Sequence, residues 1–313
     1  MSDTGTFDRR EFIKASALIA GAAAIPLSTA IAQGGSMITR PIPGTNERLP
    51  VIGLGAPEPF IDLPPEGKEL PISLINAMME MGGTVMDSPS FFRPNVPVFG
   101  PLINEMGVRD DLFLIGKSTV NGRENVINHL DKLMVNLDKY PMDSLLIHNM
   151  REMDVQWPIL KELKAQGKVR HIGLSLTRQV DYGPLVSFMA TEKPDIVMTG
   201  YSITQQGPAN SVLPFARDNG IAIIGVEPFK AVDDGAFFSM VAGKELPDWA
   251  AEIDVHSWAQ FSLKWIISDP AITSVVTETV SVKHVIDNMG GGYGHLPDQA
   301  MRQKMSDLLL SFA

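Results

Sequence analysis

Three residues that can hold or move a proton each end a short apolar run of the chain. The runs TVMD, LFLIGK and SLLIH end at Asp87, Lys117 and His148. A polar group at the end of a buried run loses water and needs a partner, so a mutual cluster is favoured. An aspartate and a lysine attract each other, and an imidazole with a pKa near ~6.5 gives or takes a proton. The three types together predict a proton-transfer site.

Three further polar residues stand where other apolar runs end. They are Ser175, Tyr201 and Glu227. Glu227 is a candidate for proton transfer, because a carboxyl group can serve as a general acid or base. Ser175 has the alternative role of beginning a helix as its N-cap, and Tyr201 that of filling the end of the fold.

These residues need a fold that gathers the ends of successive strands. Eight short apolar runs are predicted as strands, at residues 51–54, 84–87, 112–117, 144–148, 171–175, 195–201, 221–227 and 273–276. Helical spacing lies between them, at residues 70–81, 123–137, 157–166, 183–192, 210–218 and 256–268. Strands that alternate with helices and are apolar throughout predict a (β/α)8 barrel, in which chemistry sits at the C-terminal strand ends. The rival, a doubly wound open sheet, lacks a G-x-G-x-x-G turn after the first strand.

The segment before the first barrel strand and the loop after the seventh have their own patterns. Two short extended pieces flank Pro-Gly-Thr-Asn at residues 43–46 and predict an N-terminal β-hairpin. The loop from Pro228 to about Val255 is the longest connection, and loops of that size are more often functional than idle.

Charge and composition restrict the partners. The formal net charge of −10 opposes binding to nucleic acid or to an anionic membrane, both of which require a basic surface. The absence of cysteine excludes disulfides, thiolate metal sites and a cysteine nucleophile. The six histidines show no spacing typical of metal ligands, so no metal site is predicted. A small-molecule substrate is the expected partner.

The first 32 residues have the pattern of an export signal. Arg9 and Arg10 precede an apolar segment over residues 15–31, which ends in the small-residue pattern Ala30-Ile31-Ala32. The paired arginines resemble the twin-arginine type, which carries folded proteins to the periplasm, so the twin-arginine machinery is an expected partner. Cleavage after Ala32 would leave residues 33–313 as a single domain with no stable membrane insertion. The alternative is a membrane anchor, although the segment is short for one.

Longer motifs give the chain a family resemblance. They include VIGLG, MDSPS, LFLIGKS, DSLLIH, GKVRHIGLS and VIDNMGGGYGHLPD, and together they span nearly all of residues 33–313. The chain resembles the aldo-keto reductases. That resemblance implies a (β/α)8 barrel that reduces aldehydes or ketones with NADPH, using an Asp, a Tyr, a Lys and a His at the barrel mouth. Asp87, Lys117 and His148 match three of these four residues.

The fourth residue departs from the family pattern. The family's tyrosine lies five residues after the aspartate, and this position holds Phe92. If the alignment with the family allows one deletion, the tyrosine position moves only to Phe91. Neither ring carries a hydroxyl group. A general acid of this kind contributes roughly 10² to 10⁴ in rate, so the resemblance implies a degenerate site with a non-standard proton donor.

The cofactor positions depart as well. The resemblance assigns Ser175 to the nicotinamide amide and Tyr201 to the nicotinamide face, while Leu176 and Met198 replace the family's Asn and Gln. Glu278 brings negative charge to the region that faces a 2′-phosphate, which disfavours NADPH. Lys283 and Asn288 match the residues that contact the adenosine. NADP or NAD is the implied cofactor, with no cofactor at all as the alternative.

Three functions follow from this pattern. The first, which the family favours, is an oxidoreductase acting on a hydrophobic or aromatic carbonyl or alcohol, with Phe91, Phe92 and Phe229 lining the substrate pocket. The second is a cofactor-independent lyase or isomerase, in which His148 and Glu227 move protons. The third is a non-catalytic binding protein on the same barrel. Tyr182 follows the fifth strand and either reaches the mouth or packs at the start of a helix.

Overall fold

Eight parallel strands close into a barrel in the computed structural model, and a two-stranded hairpin precedes them. The structure describes residues 35–63, 67–90, 97–178, 181–231 and 237–312. The predicted signal segment, Phe91 and Phe92 lie outside these ranges. The predicted (β/α)8 barrel with its N-terminal hairpin is confirmed.

The strands run in chain order around the barrel. In the hairpin, β1 (Thr39–Pro41) pairs antiparallel with β2 (Arg48–Pro50). The barrel strands are β3 (Ile52–Leu54), β4 (Val85–Asp87), β5 (Phe113–Ser118), β6 (Met142–Ile147), β7 (Val169–Leu176), β8 (Ile196–Gly200), β9 (Ala222–Val226) and β10 (Ile272–Thr277). β10 pairs with β3 and closes the barrel. Because every barrel strand is parallel to its neighbours, all eight C-terminal ends meet at one face.

Helices connect the strands and cover the barrel. They are α1 (Glu69–Glu80), α2 (Phe99–Glu105), α3 (Arg123–Leu137), α4 (Met153–Ala165), α5 (Gly183–Glu192), α6 (Val212–Asn219), α7 (Phe237–Met240), α8 (Trp258–Ile267), α9 (Val282–Gly290) and α10 (Gln299–Leu310). The bounds of α3 and α5 are those predicted, and the other four predicted helices differ by a few residues at their ends. No helix in the described ranges is both long and apolar enough to cross a bilayer.

Four helices, α2, α7, α9 and α10, were not predicted, three of them for local reasons. α2 has the sequence FGPLINE, whose Gly and Pro obscure a helical period. α10 is largely polar, so its period is weak, and it is better recognised by its start, where the Asp298 carboxylate accepts the Met301 N–H at 2.8 Å. α7 is one turn within the predicted long loop after β9.

The barrel interior is apolar up to the level of the site. One buried cluster takes side chains from six barrel strands and from β2 of the hairpin, among them Ile115, Leu146, Met198 and Ile224. Alternate residues of a strand point to opposite faces, so residues one step away from this set face the helices instead. This alternation decides which residues at the strand ends reach the mouth.

The N-terminal face of the barrel carries a buried ionic network. The Asp143 carboxylate, 1% exposed, accepts hydrogen bonds from the Leu114 N–H at 2.7 Å and from Arg170 at 2.5 Å, and pairs with Lys139 at 2.8 Å. Arg170 also binds Glu47, which lies in the turn of the hairpin. The network therefore ties the hairpin to β5, β6 and β7. His171 contacts Glu47 at 3.0 Å and belongs to this face, away from the mouth.

Candidate active site at the barrel mouth

Asp87 and Lys117 form an ion pair at the C-terminal ends of two neighbouring strands. Lys117 Nζ lies 2.6 Å from Asp87 Oδ2, and the two side chains are only 12% and 14% exposed. The second oxygen of Asp87, Oδ1, is buried and has no hydrogen-bond partner in the described ranges. A buried acceptor without a partner is uncommon and marks a place where a ligand atom or water is expected. The predicted pair is thus present, with one acceptor position left open.

His148 directly follows β6 and is held on both sides of its ring. Its Nδ1 lies 3.1 Å from Ser175 Oγ, and its Nε2 lies 3.1 Å from Asn149 Nδ2. The Asn149 amide cannot be turned the other way, because its Oδ1 accepts the Thr177 N–H at 3.0 Å. An amide nitrogen only donates, so Nε2 is the acceptor and the proton of the neutral ring is on Nδ1.

Burial and the nearby charges favour the neutral form of the His148 ring. Burial lowers the pKa of His148 below its ordinary value, the positive charge of Lys117 lowers it further, and Asp87 only partly offsets these effects. The ring therefore stays neutral further into the acid range than a free histidine. With its Nε2 lone pair held by Asn149, His148 is better placed to orient the site than to release a proton from Nε2.

Asn149 is the residue of this arrangement that the sequence analysis missed. Its backbone is left-handed, with φ of 53°, a conformation that asparagine tolerates better than most residues. Its N–H also donates to Ser175 Oγ at 3.1 Å. A polar residue directly after a strand-end histidine was the only sequence signal for it.

The four predicted cofactor residues do not form one binding surface. Ser175 is fully buried, and its hydroxyl oxygen already contacts His148 and Asn149. Tyr201 is 1% exposed, its ring lies 5.2 Å from that of Trp265 in α8, and Arg302 of α10 donates to its hydroxyl at 3.2 Å. Burial raises the pKa of Tyr201 to about 12. Its ring faces the helix layer, so the expected stacking on a nicotinamide does not match its position.

The two residues predicted to contact the adenosine differ in their exposure. Lys283 is exposed on the first turn of α9, whereas Asn288 is 3% exposed within the same helix. Leu176 and Met198, at the places of the family's amide anchors, are both buried and apolar. These residues do not fit the family's way of holding a nicotinamide amide, and of the four predicted cofactor residues only Lys283 is exposed.

Glu278 interacts electrostatically with the Asp87–Lys117 ion pair. It follows β10 and is exposed, yet partial burial raises the pKa of its carboxyl group, and the Asp87 carboxylate raises it further. The predicted negative charge after the last strand is therefore close enough to act on the Asp87–Lys117 pair. In the described part of the chain, no three His, Asp or Glu side chains come together as a metal site would require.

Glu227 and Phe229 lie after β9, two residues apart in the chain. Glu227 has φ of +56°, and its Oε2 lies 3.4 Å from Lys230 Nζ without the geometry of a hydrogen bond. Phe229 packs against Phe238 at 5.0 Å and against Phe237 at 6.1 Å. Phe238 is 49% exposed, so this three-ring cluster presents aromatic surface to solvent. Phe91 and Phe92, predicted to share the pocket, lie outside the described residues.

Comparison with known proteins agrees with this architecture. The chain is 26% identical over 170 residues to the aldo-keto reductase YhdN of Bacillus subtilis, a match that spans 49% of the chain and half of that protein's length. It is 24% identical over 277 residues to pyridoxine 4-dehydrogenase of Escherichia coli, covering 80% of the chain and 92% of that protein.

A solved structure shows the same fold at low identity. An aldo/keto reductase from Klebsiella pneumoniae, in complex with NADP and acetate, superposes with a TM-score of 0.64 at 18% identity and covers 85% of the chain and 94% of that protein. The model of the aldo/keto reductase family matches residues 52–303, which include every barrel strand and the site just described. The chain belongs to the aldo/keto reductase family.

Proposed function

We propose that this protein is an oxidoreductase that acts on a carbonyl or alcohol group bound beside Asp87 and Lys117. The observation that carries the proposal is the buried 2.6 Å ion pair with an open Asp87 oxygen, next to a neutral His148. An ion pair held in a partly desolvated mouth acts strongly on charge that develops at a substrate oxygen. The loss of the family's tyrosine at Phe92 makes the proton donor a non-standard one.

The proposed substrate is hydrophobic or aromatic. Support comes from the Phe229, Phe237 and Phe238 cluster in the loop after β9, with Phe238 exposed. Aromatic rings favour partners that bury apolar surface with offset or edge contacts. The relative named pyridoxine 4-dehydrogenase is consistent with this proposal, because pyridoxine is an aromatic alcohol.

The proposed hydride carrier is NADP or NAD, and the structure gives a specific expectation for its binding. Titration of the protein with NADH and NADPH by calorimetry should give a micromolar dissociation constant for at least one of them, with NADPH no tighter than NADH. Glu278 is the reason, because its carboxylate opposes a 2′-phosphate. The Klebsiella structure with NADP supports the class of cofactor.

Two variants test whether Lys283 contributes to cofactor binding in this titration. Lys283→Ala should weaken binding, whereas Lys132→Ala, which removes another exposed lysine, from α3, should leave it unchanged. No heat of binding at millimolar cofactor would contradict the oxidoreductase proposal.

A second candidate function is favoured by the misfit at the cofactor positions. At the three positions where the family anchors a nicotinamide amide, Leu176 and Met198 are apolar and Ser175 is already engaged. A lyase or isomerase that moves protons on a carbonyl substrate requires no such clamp. Such an enzyme would turn over its substrate without added cofactor, whereas a non-catalytic binding protein would show no turnover with or without cofactor.

We further propose that the protein is exported through the twin-arginine pathway and acts in the periplasm. The paired Arg9 and Arg10 ahead of the apolar segment support this. In a bacterium that has the pathway, the full chain should be recovered in the periplasmic fraction without residues 1–32. Replacing both arginines by lysine should retain the chain in the cytoplasm at full length. Unchanged periplasmic recovery of that variant would disprove the pathway.

A further inference from the structure

Lys117 lies on β5 one step beyond the end of the neighbouring strand β4. The last residue of β4, Asp87, pairs with Ile115, and the Ile115 carbonyl accepts the Ser88 N–H at 2.9 Å. The backbone polar groups of Ile115 therefore point toward β4. Those of Lys117, two residues further along the strand, point the same way. Because β4 has already ended there, the N–H and the carbonyl of Lys117 need other partners on that side.

Two side chains from other elements supply these partners. Ser90, in the loop after β4, accepts the Lys117 N–H with its Oγ at 2.9 Å and donates its own proton to the Ser88 carbonyl at 3.0 Å. His129, in α3, places its Nε2 3.0 Å from the Lys117 carbonyl oxygen. A carbonyl oxygen only accepts, so Nε2 carries a proton and donates it. The two peptide groups that flank the Cα of Lys117 are thus both held by side chains.

Both of these side chains are shielded from solvent. Ser90 is 1% exposed and His129 is 6% exposed. Burial lowers the pKa of His129, the bond to the Lys117 carbonyl offsets part of this effect, and the charge of Lys132 lowers the pKa further. The neutral form of the ring is therefore favoured, and it donates from Nε2 without adding a second positive charge behind Lys117.

The direction of the Lys117 side chain depends on these two peptide groups. The backbone has only two soft dihedral angles at each residue, and they are set by the peptide planes on either side of the Cα. The lysine side chain is long and flexible, so a small rotation of either plane displaces its ammonium group by more. In the structure Lys117 Nζ lies 2.6 Å from Asp87 Oδ2.

We propose that Ser90 and His129 are positioning residues that hold the Lys117 ammonium group at Asp87, an assignment whose effect on turnover rests on the proposed function. Both act through the backbone of Lys117, one on each of its peptide groups. A misplacement of ~1 Å at a site of this kind can lower a rate by about 10²-fold. The assignment holds for any reaction in which Lys117 stabilises charge at a substrate oxygen.

The kinetic test compares His129→Leu with His129→Gln in the reduction of 4-nitrobenzaldehyde by NADH and NADPH. Glutamine can bring its amide nitrogen near the place of Nε2 and donate to the same carbonyl, whereas leucine fills similar space and donates nothing. His129→Leu should lower kcat by roughly 10- to 10²-fold with little change in KM. His129→Gln should keep most of the wild-type kcat.

Two further variants complete the comparison. Ser90→Ala, which removes the acceptor of the Lys117 N–H, should lower kcat as His129→Leu does. His171→Leu is the matched control, because His171 is also 6% exposed but contacts Glu47 at the N-terminal face. It should leave the kcat of the folded protein unchanged.

Nuclear magnetic resonance gives a readout that needs no turnover. In protein with isotopically labelled lysine, a buried ammonium group bound to a carboxylate exchanges its protons slowly and gives a signal of its own. The Lys117 signal is identified by its absence in Lys117→Arg. It should persist in His129→Gln and His171→Leu and should shift or disappear in His129→Leu and Ser90→Ala.

The outcomes separate this assignment from the proposed function. An unchanged Lys117 signal in both His129→Leu and Ser90→Ala would overturn the positioning role. Equal loss of kcat in His129→Gln and His129→Leu would show that the hydrogen bond is not what matters, and would overturn the role of His129. If the wild type failed to reduce the aldehyde with either cofactor while the signal changed as expected, the oxidoreductase proposal would fall and the positioning role would stand.

Discussion

Lys117→Met is expected to lower turnover by at least about 10²-fold and to destabilise the fold by about 3–5 kcal/mol. The activity falls because the positive charge beside the substrate oxygen is lost. The stability falls because Asp87, 14% exposed and bonded to Lys117 at 2.6 Å, is left as a buried charge without its partner. Steady-state kinetics and urea unfolding measure the two effects separately.

The second residue of the pair provides the control. Asp87→Asn with Lys117→Met removes both charges, so the double variant should recover much of the stability lost by Lys117→Met alone. It should not recover activity, because the electrostatic contribution of the pair remains absent. Recovery of both properties would show that the loss in the single variant came from unfolding and not from chemistry.

Asp143→Ala is expected to cost about 3–5 kcal/mol of stability, the largest structural effect that we predict for a single residue outside the mouth. Its carboxylate is 1% exposed and serves Arg170, Lys139 and the Leu114 N–H together. Removing it leaves the buried Leu114 N–H without its acceptor and takes the carboxylate partner from Lys139 and one of the two from Arg170, which keeps Glu47. Urea unfolding of the variant measures the cost.

The location of Asp143 separates stability from function. The folded Asp143→Ala variant should keep the activity of the wild type, because the network lies at the N-terminal face of the barrel and the chemistry takes place at the C-terminal face. Asp131→Ala, on the exposed side of α3, should change stability by less than about 0.5 kcal/mol. If Asp143→Ala were as mild as Asp131→Ala, the network would be a surface arrangement of little consequence.

The barrel was predictable because its signals are local and repeated. Eight apolar runs alternate with helical patterns, and a parallel sheet covered by helices is the arrangement that buries both faces of such strands. The ends of neighbouring strands necessarily meet, so Asp87 and Lys117 could be placed together before any coordinates. Helices such as α2 and α10 escaped prediction because Gly, Pro or polar residues weaken their period.

The directions of individual side chains were not predictable in the same way. Tyr201 ends a predicted strand, but Met198 points to the interior and the alternation of the strand turns Tyr201 toward Trp265. By the alternation alone Glu227 would also face the helices, but its left-handed backbone breaks the alternation and turns its side chain away from them. A strand end is visible in a sequence, whereas the register and the φ angle that aim its last side chain are not.

The sequence by itself determined the barrel and the positions of Asp87, Lys117 and His148, because each follows from the order of apolar runs along the chain. The family followed from the resemblance of its longer motifs. Only the tertiary structure decided that Asn149 fixes the tautomer of His148 and that Ser175 and Tyr201 are already engaged. These facts depend on contacts between distant strands and helices, and such contacts form only once the barrel has closed.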